Sequence, residues 1–189
     1  MLVNLKAIAP QISDEKLLQL SSDNPSTKFE TTKEGELIIM SPTGGTTSQK
    51  NSSLLAQIWL WNSQTKKGVV FDSSGGFKFP DKAVRSPDVS WIELTRWNQL
   101  TKEQQNKFPP IAPDFVIELR SPTDRLDDLQ QKMADYIDCG VQLGWLINPQ
   151  DKQVEIYRQG EKKKVLDNPK SLMGEDLLPE LNLDLTNIL

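Results

Sequence analysis

Apolar residues recur along this chain with two periods, and the switches between them mark out its elements. Ser13 stands as a helix N-cap, Asp14 and Glu15 suit a first turn, and Ile12, Leu17 and Leu18 form an apolar stripe that Asn24 and Pro25 close. "KFETTKEGELIIMSP" predicts a hairpin turning at Glu34-Gly35, with residues 36–40 as its second strand. After a Gly44-Gly45-Thr46 loop, Leu54, Leu55, Ile58 and Trp61 return to helical spacing, and Gly68 ends that helix. Val69 to Phe71 reads as a short strand, Ser73 to Gly76 as a turn, and "SPDVSWIEL" as another strand leaving Pro87. From Thr95 to Pro113 neither period persists, which predicts a lid or surface loop with one short helix from Thr101.

"DFVIELR" is the clearest core strand. The helix after it carries Leu126, Leu129, Met133, Tyr136 and Ile137 on one side and stops at Gly140. "QLGWLINP" and "KQVEIYRQ" follow as strands joined by a turn from Pro149 to Lys152, and "LLPELNLDLTNIL" reads as an edge strand and a closing segment. The order predicts an α/β fold, a mixed sheet with flanking helices in one domain over 1–189. A helix and hairpin at about 12–40 precede a core that begins near 46.

Composition narrows the chemistry. With 37% apolar and 25% charged residues among 189, the chain is expected to bury roughly 70% of its unfolded surface in a single core. The formal charge of -4 argues against a protein that coats nucleic acid nonspecifically, because that takes concentrated Lys and Arg. The absence of histidine removes Ser-His-Asp and Cys-His triads and the HExxH zinc site. The single cysteine, Cys139, excludes an internal disulfide and fits a reducing, cytoplasmic setting. The first ten residues lack the pattern of a signal peptide, and no apolar run reaches the roughly 18 residues of a membrane span. Any metal here is expected to be a hard cation held by oxygen.

Two carboxylates stand out. Alternation sends Glu118 and Arg120 to one face of a core strand, and Asp88 opens a second strand after a proline. If those strands are neighbours, Asp88 and Glu118 converge and can share a Mg²⁺ or Mn²⁺ ion that binds a phosphate oxygen and acidifies a water. The competing reading has Asp88 capping a turn and Glu118 paired with Arg120 or Lys132 in a structural ion pair.

From Glu36 to about Pro179 the chain resembles a large bacterial family of restriction-endonuclease-like proteins, expanded in cyanobacteria, within the PD-(D/E)XK nuclease superfamily. The resemblance rests on "GELIIMSPTGG", "RSPDVSWI", "PDFVIELRSPTDRLDDLQQKMADYI", "GWLINP", "VEIYR" and "LLPELNLDL" taken together. It implies a restriction-endonuclease-like core, with Asp88 and Glu118 as the metal-binding acids and Glu36 as the N-terminal acid. At the expected lysine position after Glu118 this chain has Arg120, which can hold charge but exchanges protons poorly. The resemblance moves the functional lysine to Lys132 on the next helix, with Arg120 as electrostatic support. Many members carry a histidine beyond the glycine pair, where this chain reads "GGTTSQKN".

The implied activity is divalent-metal-dependent hydrolysis of nucleic acid, with DNA the favoured substrate. A homodimer is the simplest way for one site per chain to cut two strands. The rival from another class is a noncatalytic nucleic-acid- or protein-binding module that retains the fold.

Overall fold

The computed structural model describes residues 12–40 and 42–189; the sequence reading of the first ten residues lies outside these. The N-terminal unit is α1 (Asp14–Asp23) followed by the hairpin of β1 (Lys28–Thr31) and β2 (Leu37–Met40). Ser13 caps α1, its Oγ accepting the Lys16 N–H at 3.4 Å. Phe29, Leu37 and Ile39 pack with Leu17 of α1 and with Val84 in a small apolar cluster. Alternation leaves Lys28, Glu30, Ile38 and Met40 on the other hairpin face, with Lys28 opposite Met40 and Glu30 opposite Ile38.

Helix α2 (Gly45–Thr65) begins inside the stretch expected as a loop, with Gly44 as N-cap. Then come β3 (Gly68–Asp72), the short pair β4 (Phe77–Lys78) and β5 (Val84–Arg85), and β6 (Val89–Glu93). Between Thr95 and Pro113 the chain is more ordered than its pattern suggests: α3 (Leu94–Asn98) runs into α4 (Lys102–Gln105), which Thr101 and Gln104 close with a reciprocal capping box. Trp97 of α3 meets Phe71 edge-on at 5.1 Å, and Pro109 C=O accepts from Lys78 N–H, so the segment is pinned to the body.

The remaining elements are β7 (Phe115–Leu119), α5 (Leu126–Asp138), β8 (Leu143–Asn148), β9 (Gln153–Arg158), β10 (Lys164–Asp167), β11 (Ser171–Met173) and β12 (Asn182–Asp184). The central sheet runs β10-β9-β8-β7-β6-β3. Only β7 and β8 pair in parallel within it, and α5 is their crossover. The tail does not edge this sheet as its sequence suggested: β11 and β12 pair with each other.

Both faces of the sheet are covered. On one, Leu54, Ile58 and Trp61 of α2 pack with Ile117, Trp145 and Ile156, and Leu172, Leu178, Leu181, Leu183 and Ile188 of the C-terminal segment complete the layer. Trp61 Nε1 donates to Pro179 C=O at 2.8 Å, locking helix to tail. On the other face Met133 and Tyr136 of α5 lie on Val116 and Leu146, with Phe77 and Phe79 beside them. Leu126, Leu129 and Ile137 flank that layer as the helical stripe predicts. Thus α5, β7 and the start of β6 meet at one end of the sheet, with the hairpin over them.

Candidate active site

The antiparallel register of β6 and β7 pairs Val89 with Ile117. Continued by one residue it sets Asp88 opposite Glu118, and directly opposed residues share a sheet face. A side-chain bond fixes the pair: Asp88 Oδ2 accepts the Leu119 N–H at 2.9 Å. Asp88 Oδ1 receives a long bond of 3.3 Å from Asn51 Nδ2 on α2.

Helix α5 supplies two donors to Glu118. Lys132 and Tyr136 are four apart and so share a helical face. Tyr136 Oη donates to Glu118 Oε1 at 2.7 Å, and Lys132 Nζ lies 3.0 Å from the same oxygen. Lys132 Nζ also lies 3.3 Å from Glu30 Oε1, which accepts the Ser86 N–H at 2.9 Å. From β1, Lys28 Nζ donates to Ser86 C=O at 2.9 Å. The result is a cluster of three acids and two lysines, in which Glu118 and Glu30 are buried at 5% and 3% exposed, and Asp88, Lys28 and Lys132 are half-buried.

Burial is unfavourable for these acids. Removal from water, with the charges of Asp88 and Glu30 nearby, pushes Glu118 up to about 7 although Lys132 opposes it. Burial also raises Asp88, against the pull of the Leu119 N–H and of Lys28. For Lys132, burial favours the neutral amine, but Glu118 and Glu30 outweigh it and hold the ammonium above its ordinary range. Burial and the same two acids raise Tyr136, so its hydroxyl stays a donor. Glu155 on β9 makes the contrast: burial raises it too, yet Lys163, Tyr157 and Gln130 together pull it below the ordinary carboxylate value. At Glu155 the neighbours outweigh burial, whereas at Glu118 burial wins.

The donor set suits a hard cation. Asn51 Oδ1 is buried beside Asp88 without a hydrogen-bond partner, and the Tyr136 and Lys132 contacts of Glu118 both fall on Oε1. Among the described residues no group of three or more His, Cys, Asp or Glu side chains is arranged to hold a metal. Two carboxylates with an amide oxygen nevertheless match the habit of Mg²⁺, which keeps several waters and takes only one or two carboxylates.

Two other residues singled out in the sequence are placed elsewhere. Arg120 turns to the β8–β9 corner, donating to Asn148 Oδ1, Asp151 Oδ2 and Asp124 C=O at 3.3, 3.0 and 3.3 Å. Glu36 sits at the turn of the hairpin, where its backbone exchanges hydrogen bonds with Thr32. The hairpin acid at Lys132 is Glu30, which the sequence reading passed over. Its signal was the alternation in β1, where Phe29 faces the core and Lys28 and Glu30 do not. Trp59 and Leu60 of α2 are 61% and 54% exposed. No helix among the described residues is long and apolar enough to cross a membrane.

No curated protein matches the chain. Among solved structures, a protein from Anabaena variabilis ATCC 29413, described as a putative nuclease belonging to DUF820, is 24% identical to this chain. Its match covers 93% of this chain and 96% of its own, with a TM-score of 0.74. At that identity the likeness speaks for the fold, which is restriction-endonuclease-like. The family model described as "Uma2: Putative restriction endonuclease" matches residues 14–186, and the chain belongs to that family.

Proposed function

We propose that this protein is a divalent-metal-dependent nuclease that hydrolyses phosphodiester bonds in nucleic acid, with DNA as substrate. The observation that carries the reading is the placement of Asp88 opposite Glu118, with Lys132 3.0 Å from the same glutamate. Asp88, Glu118 and Asn51 Oδ1 would hold Mg²⁺ or Mn²⁺. Such an ion supplies Lewis-acid stabilisation of a phosphate and a more acidic water. Its charge also answers the physical need of two buried acids that resist ionisation where they stand.

The chain's own groups do the rest. The Tyr136 hydroxyl holds Glu118 through Oε1, so the carboxylate cannot swing away. Lys132 stays protonated, held by Glu118 and Glu30, and is positioned to meet negative charge that develops on the phosphate. Glu30 positions Lys132 from the hairpin side, and Lys28 adds a second positive charge. Arg120 and Glu36 have no step in this scheme.

Cutting two strands with one site per chain calls for two copies, and we include a homodimer in the proposal. Trp59 and Leu60, exposed on α2 near β3 at the sheet edge, offer apolar surface for it. Sedimentation at working concentration reads this directly, and a single monomer species would remove it.

The deciding experiment incubates purified protein and its Asp88→Ala variant with labelled single-stranded, double-stranded and branched DNA and with RNA, in Mg²⁺, Mn²⁺ or EDTA. Metal-dependent cleavage that disappears in the variant supports the reading. Folded protein that cuts none of these would instead favour a binding module that retains the fold.

A further inference from the structure

A second feature adjoins the acids. Between the hairpin and α5 lies a cavity of about 420 Å³, lined on one side by Ile38 and Met40 and on the other by Leu129. Ile38 and Met40 belong to none of the three apolar clusters of the core, since their strand turns Leu37 and Ile39 inward. The cavity shares Lys132 and Glu30 with the candidate active site, so an occupant sits within one side chain of Glu118.

Its chemistry points away from phosphate. Of the three cations that line it, the two inner ones already have carboxylate partners: Arg85 is held by both oxygens of Asp81, and Lys132 by Glu118 and Glu30, while Lys33 stands exposed at the hairpin turn beside Glu34. At its mouth stand the exposed carboxylates of Glu34 and Asp128. A slot with apolar walls and carboxylate acceptors at the rim fits a flat, neutral ring that carries N–H donors.

We propose that this cavity receives one unstacked nucleobase with an exocyclic amino group, cytosine or adenine, from the strand whose phosphate lies at Asp88 and Glu118. The proposal rests on the nuclease reading for its substrate and makes that reading narrower. A base stacked and paired in a duplex cannot enter a slot between a hairpin and a helix. The preferred substrate therefore has an unpaired base at the cleavage point, in a single strand or in a frayed or mismatched duplex, and only cutting both strands of the duplex calls for the homodimer.

The test measures binding without turnover, in Ca²⁺, by fluorescence anisotropy. The probes are a hexamer of deoxycytidine, a hexamer of thymidine and an abasic hexamer of the same backbone. Wild-type protein is expected to bind the cytidine hexamer about tenfold more tightly than the abasic one, with thymidine weaker than cytidine. In Leu129→Trp and in Met40→Trp, each confirmed as folded by thermal melting, that discrimination is expected to fall to within about twofold. Equal wild-type binding of the three probes overturns the proposal, as does discrimination that survives in both filled variants. Base-dependent binding by protein that never cuts would support the cavity and sink the nuclease reading. Cleavage without base dependence would do the reverse.

Discussion

Glu30 and Lys132 lie 102 residues apart in the chain, and Oε1 of one meets Nζ of the other at 3.3 Å. The contact ties the N-terminal hairpin to the crossover helix and sets the lysine between two acids. Replacing Lys132 by Met removes the charge and keeps much of the length. Cleavage is expected to fall about 100-fold or more. Thermal stability should fall as well, by about 3 kcal/mol above neutral pH and by less below it, where Glu118 takes up a proton. Melting curves at the two pH values check this, and an equal loss at both would show that the ion pair is not what the lysine stabilises.

Asp88→Asn keeps an acceptor for the Leu119 N–H and removes a charge that burial disfavours. Without divalent ions the variant should melt no lower than wild type, while cleavage drops about 100-fold or more. A variant that cuts at the wild-type rate in Mg²⁺ would take Asp88 out of the site.

The pH dependence of stability follows from Glu118. Its folded value, about 7, lies above the ordinary 4.5, so the folded chain holds this proton more tightly than the unfolded chain. The stability this confers is complete below about 4.5 and is lost as pH rises through about 7. In EDTA the melting temperature should therefore decline across that window. Mn²⁺ should restore it above pH 7 and do little near pH 4.5, and Asp88→Asn should abolish the restoration. A flat profile in EDTA would mean that Glu118 ionises without penalty.

Of the hairpin acids, Glu30 has its carboxylate on Lys132, while Glu36 stands at the turn. Glu30→Gln should reduce cleavage about tenfold more than Glu36→Gln does. The reverse order in a side-by-side assay would restore Glu36 to the role that the family pattern gives it.

Gly68 opens β3 where a Cβ would stand 2.3 Å from Ile92 C=O and from the Trp91 ring. Neither neighbour can yield, because Trp91 is buried and bonded to Asn62 Oδ1. Gly68→Ala is expected to destabilise the fold by about 2–3 kcal/mol, which urea unfolding will read. A loss under 1 kcal/mol would show that the strand end shifts freely.

The sequence made some of these features plain and hid others, for reasons visible in particular residues. Helix α5 was legible because its 13 residues show their period, and β7 because it is an apolar run in which Glu118 stands out, so Glu118 and Lys132 could be named from their places in them. Arg120 was misleading because alternation holds only while the strand lasts: β7 ends at Leu119, and the next side chain is free to turn to Asp151. Glu30 was missed because β1 is four residues long and its partner is remote in sequence. The tail looked like a sheet edge because an alternating LNLDL suits any half-buried strand, and local pattern does not say which strand it joins.

The layer between α2 and the sheet has a further consequence, in time rather than space. Its apolar surface comes from residues 54–61 at one end and from residues 172–188 at the other, joined by the Trp61–Pro179 bond. A chain emerging from the ribosome N-terminus first would carry Leu54 and Ile58 beside a nearly finished sheet that still lacks its cover. The hairpin, α5, Asp88 and Glu118 would already have been made. Throughout that interval the nascent protein exposes an apolar face, and the layer stays open until the leucines of residues 172–188 arrive.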